Sequence, residues 1–230
     1  MPVWPSDMAR RKRKAGTRIV VGALALAALA AAGWFGYRHF DRSPALIKVS
    51  AERVDPANEG RRVQVSGRLT ASSAARDADM DIAAGAAVLV RKVEMLQWRE
   101  RCEHGAACTY DTAWSSQRID STGFREPQGH ENPPARLVDA HFAGGDLKLG
   151  AFVADPELVA AQVALADHPV HAADLPPNLA AIFADASGAL YAGGDASHPR
   201  VGEVKVSYRI APLGDVVLRG VQHGNRLSAE

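Results

Sequence analysis

A chain of 230 residues, 47% hydrophobic and 23% charged, has the make-up of one globular domain with room for an appendage, not of a disordered chain. Its charges are unevenly spread: residues 1–18 hold six basic residues (Arg10, Arg11, Lys12, Arg13, Lys14, Arg18) against Asp7, which leaves 21 basic and 25 acidic residues in the remainder. A body of that sign has no electrostatic case for binding nucleic acid, and two cysteines exclude a disulfide-dense scaffold and an all-cysteine metal site.

Ile19 to Tyr37 reads IVVGALALAALAAAGWFGY and is free of charge. As a helix it would be roughly 28 Å long, about the thickness of the hydrocarbon core. Trp34, Phe35 and Tyr37 stand at its far end, where aromatic rings favour the headgroup level. Arg38 and Arg42 follow, outnumbered by the basic cluster ahead of the run. The positive-inside rule then predicts a single-pass inner-membrane protein with a cytoplasmic N-terminus and a periplasmic body, and makes the lipid bilayer its first partner. Ala28-Leu29-Ala30 and Ala30-Ala31-Ala32 offer the small-residue pattern of a cleaved signal peptide; the length of the run and its aromatic end favour a retained anchor. The expected layout is a basic cytoplasmic segment (1–18), a transmembrane helix (19–37), a connector (38–60) and an extracytoplasmic domain (61–230).

Within the body, Arg62 to Leu69 alternates Val63 and Val65 against polar neighbours and predicts a half-buried strand. Residues 71–87 are small and acidic and read as a loop. Val88 to Arg101 predicts a long strand, with Thr109 to Trp114 as its return, and the Gly- and Pro-rich residues 120–146 read as loop with at most short strands. Leu147 to Val153 predicts a further strand. Asp155 as cap and Pro156 in the first turn open a helix that runs to Ala166 before His168-Pro169, and a second short helix is expected from Pro177 to Ala184. Leu190-Tyr191, Val201 to Ile210 and Val216 to His223 complete the strands, the last two joined by a turn around Pro212 to Gly214. The sum is an α+β fold, a mainly antiparallel β domain with one or two short helices. Arg62 to Leu69 echoes Glu203 to Ile210, as two strands of like period do.

Few residues point to chemistry. Cys102 and Cys108 flank a turn between two strands, and outside the cytoplasm such a pair forms a disulfide worth roughly 2–3 kcal/mol by loop entropy. The alternative is a metal site from Cys102, His104 and Cys108, three ligands at an awkward spacing. Asp77, Asp79 and Asp81 form D-x-D-x-D, but Ile82 and Val88 occupy the positions where a calcium loop needs Gly and Glu, so a solvated acidic turn is expected. His168 and His171 bracket Pro169, which breaks any helix that would align them, and read as loop histidines. Glu94 and Glu100 fall on one face of a regular strand about 20 Å apart, too far to act as a pair. Gln97 and Trp98 suit a buried amide beside a packed indole. Motifs of nucleophile-elbow, zinc-protease, phosphate-loop and dinucleotide type are absent.

From Val93-Glu94-Met95-Leu96-Gln97-Trp98 onward the sequence resembles the transmembrane protein 43 (LUMA) family, whose most recognisable string is V-E-M-x-Q-W. Further matches follow in order: Tyr110 with Trp114, Phe124, Asn132-Pro133, Leu149-Gly150-Ala151-Phe152, Gly202-Glu203-Val204-Lys205-Val206-Ser207-Tyr208 and Gly220-Val221-Gln222, with Val65 to Leu69 ahead of them. The resemblance covers roughly residues 17–227. It implies a membrane protein with a large luminal or periplasmic domain that organises protein complexes, as animal members do in the endoplasmic reticulum and inner nuclear membrane. It transfers no catalytic residue, cofactor or metal, so Val93, Glu94, Met95, Gln97, Trp98, Tyr110, Trp114, Asn132, Pro133, Gly150 and Phe152 are expected to be structural. Family members continue into several further spans, and this sequence shows no second apolar run of that length before Glu230.

The expected function is therefore a membrane-anchored scaffold that binds other envelope proteins or itself, without catalysis. A ligand-sensing domain acting through a partner is one alternative. A metal-dependent envelope hydrolase built on His168, His171, Asp167 or Asp174 is the other, and it requires those side chains to converge.

Overall fold

The computed structural model describes residues 46–103 and 107–229. The expected basic segment, the expected membrane span at 19–37 and His104 lie outside those residues. Among the described residues no helix is long and apolar enough to cross a membrane. The expected connector is folded where it is described. It carries β1 (Ile47–Ser50) and a 3-10 turn at Pro56–Asn58 capped by the Asp55 side chain.

The rest is β-rich. β2 (Arg62–Thr70) is followed by β3 (Ala75–Asp77) and β4 (Ile82–Ala84), then by the long β5 (Ala86–Cys102) and β6 (Cys108–Ser115). β7 (Ala140–Ala143), β8 (Lys148–Leu149) and β9 (Phe152–Ala154) lead into α1 (Pro156–Gln162). β10 (Ala166–His168), the single-turn α2 (Pro177–Ala180), β11 (Phe183–Ala186), β12 (Ala189–Ala192), β13 (Val204–Pro212), β14 (Gly214–His223) and β15 (Arg226–Ser228) complete the chain.

One sheet closes on itself. β2 pairs antiparallel with β14 along one edge and with β8 along the other, and β14, β15, β9 and β8 complete the ring, while β1 lies parallel beside β2. Its interior is filled by Val63, Val65, Leu69, Leu149, Phe152, Leu218 and Leu227, and Leu158 and Val159 of α1 pack into the same core. The second sheet runs β11-β12-β13-β5. There β6 and β7 share the far edge of β5, and β10 shares that of β13 with β12. Leu89, Val93, Leu190 and Val206 face a second core with Met80 and Ile82. Residues 203–212 and 214–223 are not a hairpin: the chain kinks after Ala211, and β14 continues into the other sheet.

Four sequence expectations change. Residues 71–87 are not loop, because Ala75, Ile82 and Ala84 alternate inward and form the β3–β4 hairpin. Leu147 to Val153 is two strands, broken at Gly150 with φ 61°. A Cβ there would lie 2.2 Å from the Ala51 carbonyl oxygen, which requires glycine. The first helix stops at Gln162, since pairing of Ala166 with Ile210 draws the following residues into a strand. The second stops at Ala180, since β11 and β12 close a hairpin through Ser187 and Gly188, both at positive φ.

The acidic turn is also not solvated at its first member. Asp77 is fully buried and meets Arg91, itself 3% exposed. Arg91 Nη1 donates to Asp77 Oδ2 at 2.6 Å and Oδ1 at 2.8 Å, Nη2 donates to Asp79 at 3.1 Å, and Nε donates to the Val138 carbonyl. The Tyr208 hydroxyl donates to Asp77 Oδ2 at 2.7 Å. Burial works most strongly against the Arg91 charge, but Asp77 and Asp79 together hold the guanidinium above its ordinary pKa. Burial, reinforced by Asp77, pushes the Tyr208 phenol up. Arg91 and Tyr208 face each other across β5 and β13, so this one cluster pins the β3–β4 hairpin onto the centre of the second sheet. Removing Asp77 leaves buried Arg91 with only the exposed Asp79 carboxylate as counter-ion, and removing Arg91 leaves buried Asp77 with no cation and only the Tyr208 hydroxyl. Asp77→Ala or Arg91→Met should lower unfolding free energy by about 3–5 kcal/mol. The double variant Asp77→Leu/Arg91→Met should lose less than the two singles combined, as read by chemical denaturation.

Candidate interaction surface

β13 accompanies β5 only as far as Met95, whereas β6 pairs with it from Met95 to Cys102. Beyond Met95 the two strands therefore leave the sheet as a hairpin reaching roughly 23 Å. The residues of the V-E-M-x-Q-W string lie where this hairpin emerges: Val93 and Met95 are buried, and Gln97 bonds to backbone.

The ladder is extended by side chains where strands run out. Leu96 still pairs with β13's approach, its N–H donating to the Glu203 carbonyl and its carbonyl accepting from the Gly202 N–H. Two residues on, the same edge of β5 presents the Trp98 N–H and carbonyl. Asn132 meets both: Oδ1 accepts from the Trp98 N–H at 2.7 Å and Nδ2 donates to the Trp98 carbonyl at 2.9 Å. One carboxamide thus stands in for a strand residue. On the opposite edge Asp139 does the same for the Val93 N–H. Gln97, 1% exposed, donates to the Ser115 and Gln117 carbonyls and accepts from the Ile119 N–H, tying down the segment that leaves β6. Pro133 packs against Gly202, where φ is 93° and a Cβ would lie 3.0 Å from the proline ring.

Residues 116–133 form a strap around the hairpin. His130 stacks on Tyr110 with centroids 3.9 Å apart and meets Trp98 edge-on at 4.8 Å, and Phe124 tilts against Tyr110. Glu100 accepts from the Tyr110 hydroxyl and the Arg125 N–H, each at 2.7 Å, and the Tyr110 oxygen accepts from the Glu126 N–H. The Tyr110 bond, with that of Arg125, holds the Glu100 carboxyl below its ordinary pKa, while burial and then Glu100 push Tyr110 up. On the opposite face Arg99 grips Asp111 with two bonds of 3.0 Å and Arg101 adds a third contact, so the Asp111 pKa is lowered, chiefly by Arg99. Cys102 and Cys108 face each other at the tip and are joined as a disulfide. Glu100 lies near both sulfurs, but each sulfur is committed to the other, so the three-ligand metal reading has no free thiolate.

At the hairpin's base Glu203 accepts from the Gly194 and Arg200 N–H groups and the Tyr191 hydroxyl. The Gly194 bond and then the Tyr191 bond lower the Glu203 pKa, and Tyr191 is pushed up to about 12 by burial and by Glu203. Lys205 Nζ sits 4.0 Å over the Trp114 ring. The other sequence candidates stand elsewhere. Glu94 pairs with Lys92. His171 faces Asp185 and its N–H donates to Asp174, while Asp167 meets Arg209, and His168 belongs to β10 and is not in a loop. The set required for a hydrolase therefore does not converge. The Asp77–Arg91–Tyr208 cluster and the Tyr191–Glu203 pair carry no motif spacing in the sequence, since their members meet only once the strands have paired.

The family model described as Transmembrane protein 43 matches residues 95–229, more than half of the chain. The chain belongs to the Transmembrane protein 43 family. Human Transmembrane protein 43 is 34% identical over 122 residues, 48% of this chain and 30% of the human protein, and the mouse protein is 31% identical over the same shares. The Transmembrane protein 43 homolog of Drosophila melanogaster is 24% identical over 197 residues, 79% of this chain and 51% of the fly protein. The match thus spans well under two thirds of each relative's length. No solved structure gives a significant match. The Transmembrane protein 43 model begins on β5 at Met95 and so takes in the projecting hairpin, its strap and the strands that support them.

Two outcomes are expected. Asn132→Leu should strip Trp98 of both partners, cost about 1–3 kcal/mol and speed amide exchange at Trp98. Asn132→Asp, which offers no donor to the Trp98 carbonyl, should not restore it. Glu100 and Glu203 both sit below their ordinary 4.5 in the folded protein. Their contribution is complete above that value and is lost as pH falls through the lowered folded values. Amide protection at Arg125 and Gly194 should therefore drop on acidification, and Glu203→Gln should flatten the response at Gly194 alone.

Proposed function

We propose that this member of the Transmembrane protein 43 family is a membrane-anchored extracytoplasmic scaffold that holds other envelope proteins together without catalysing a reaction. In this reading residues 1–18 lie in the cytoplasm, 19–37 span the bilayer, and the domain, which takes in β1 and so begins ahead of residue 61, fills the periplasmic side. The observation that carries it is the projecting hairpin. Gln97, Asn132 and Glu203 spend their polar groups on backbone, and the strap and tip disulfide add to the rigidity of a protruding element. A stiff protrusion loses little entropy on docking, which favours a binding platform. The paired cysteines suit an oxidising compartment.

Crosslinking in intact membranes, followed by purification and mass spectrometry, compares the full chain with one lacking residues 1–42. A defined set of envelope proteins recovered only with the N-terminal segment is the expected result. Recovery of nothing above background would overturn the scaffold.

A further inference from the structure

The hairpin's outer strand is left half used. Across β5 and β6 the hydrogen-bonded pairs are those of Gln97 with Ala113, Arg99 with Asp111 and Arg101 with Thr109, because Leu96 and Trp98 turn their backbone groups to the other edge. The N–H and carbonyl groups of Tyr110, Thr112 and Trp114 therefore point away from β5. Among the described residues β6 pairs with β5 alone, and the strap runs over the faces of the hairpin and the Trp98 edge, not along this one. The strand also lacks the usual defences of a free edge. It has no proline and no bulge, and its one charge, Asp111, is already neutralised by Arg99 and Arg101.

The side chains indicate what fits there. An antiparallel copy of β6 related by a twofold axis at Thr112 sets Thr112 against the partner's Thr112 and Tyr110 against the partner's Trp114. Asp111 then faces the partner's Ala113. Threonine pairs and aromatic pairs are the favourable cross-strand combinations, and no charge opposes its like. Moving the axis one residue, to Asp111, would set two carboxylates directly opposite each other and is disfavoured for that reason. The strand is self-complementary in a register that pairs seven of its eight residues, Thr109 to Ser115.

We propose that two copies of this chain pair edge to edge through β6, in antiparallel register about Thr112, to form one continuous sheet from the two hairpins. This rests on the interaction reading above and names its partner as a second copy. The contact is isologous and therefore closes as a dimer without growing into a fibre.

The test uses the full chain in lipid nanodiscs large enough for two copies. Light scattering should give a dimer. A short bismaleimide should crosslink Thr112→Cys and should not crosslink Thr109→Cys, whose two copies stand about 20 Å apart in this register. Thr112→Lys places two ammonium groups face to face and should give a monomer that still unfolds in one cooperative transition, its midpoint lower only by the stability that pairing adds. The crosslinking comparison does not depend on how the lysine variant folds. A monomeric wild type, a dimer that survives Thr112→Lys, or equal crosslinking at both positions would overturn the pairing. If the wild type is monomeric while envelope proteins are still captured, self-pairing fails and the scaffold stands. If neither dimer nor capture is seen, both fail.

Discussion

The buried Arg91 guanidinium is the constraint on which the second sheet depends. It sits at the middle of β5, opposite Tyr208 of β13, and both reach the same fully buried Asp77. A charge in that position is tolerable only when its donors are met. Here Asp77, Asp79 and the Val138 carbonyl meet them, and the Phe142 ring lies over the guanidinium carbon at 5.3 Å. Meeting those demands draws in three segments far apart in the chain. The β3–β4 hairpin and the run before β7 are bonded to β5 through this one side chain, and Tyr208 ties the backbone-paired β13 to the same cluster.

Much of this was legible along the chain, and the reasons are local. The alternation in Arg62 to Leu69, the length of Val88 to Arg101 and the cap formed by Asp155 and Pro156 each carry their own signal, and each appears as expected. Leu190-Tyr191 was legible as a short strand, but the bounds of β8 and β9 and the existence of β10 were not. β8, β9 and β10 have two or three residues each and exist because a partner strand is there to pair with them. Gly150 stands between Leu149 and Phe152, and the apolar run hid the break that its positive φ makes. The Ser187-Gly188 turn did carry a sequence signal, overlooked because the residues before it looked helical.

At the hairpin the outcome is similar in kind. The residues that resemble the family were visible as a string, but a string does not say what they do. Asn132 is an ordinary loop residue until Trp98 is seen to lack a strand partner at the same height. Glu203 is an ordinary acid until the loop at Gly194 and Arg200 is seen to fold back over it. In both, a single side chain meets backbone that has no strand partner, and Asn132 thereby lets β5 outrun β13 without leaving the Trp98 groups unmet.

β13 and β14 are one stretch of chain that belongs to two sheets. From Ile47 the backbone ladders run without interruption through β1, β2 and β14, along the covalent chain into β13, and across to β5 and β6. The hairpin tip is therefore joined to the N-terminal end of the domain by rows of hydrogen bonds and one peptide backbone, beside the packing of Ala87 and Val88 of β5 into the core of the first sheet. A load on the tip thus meets a continuous covalent and hydrogen-bonded path that ends at the start of β1.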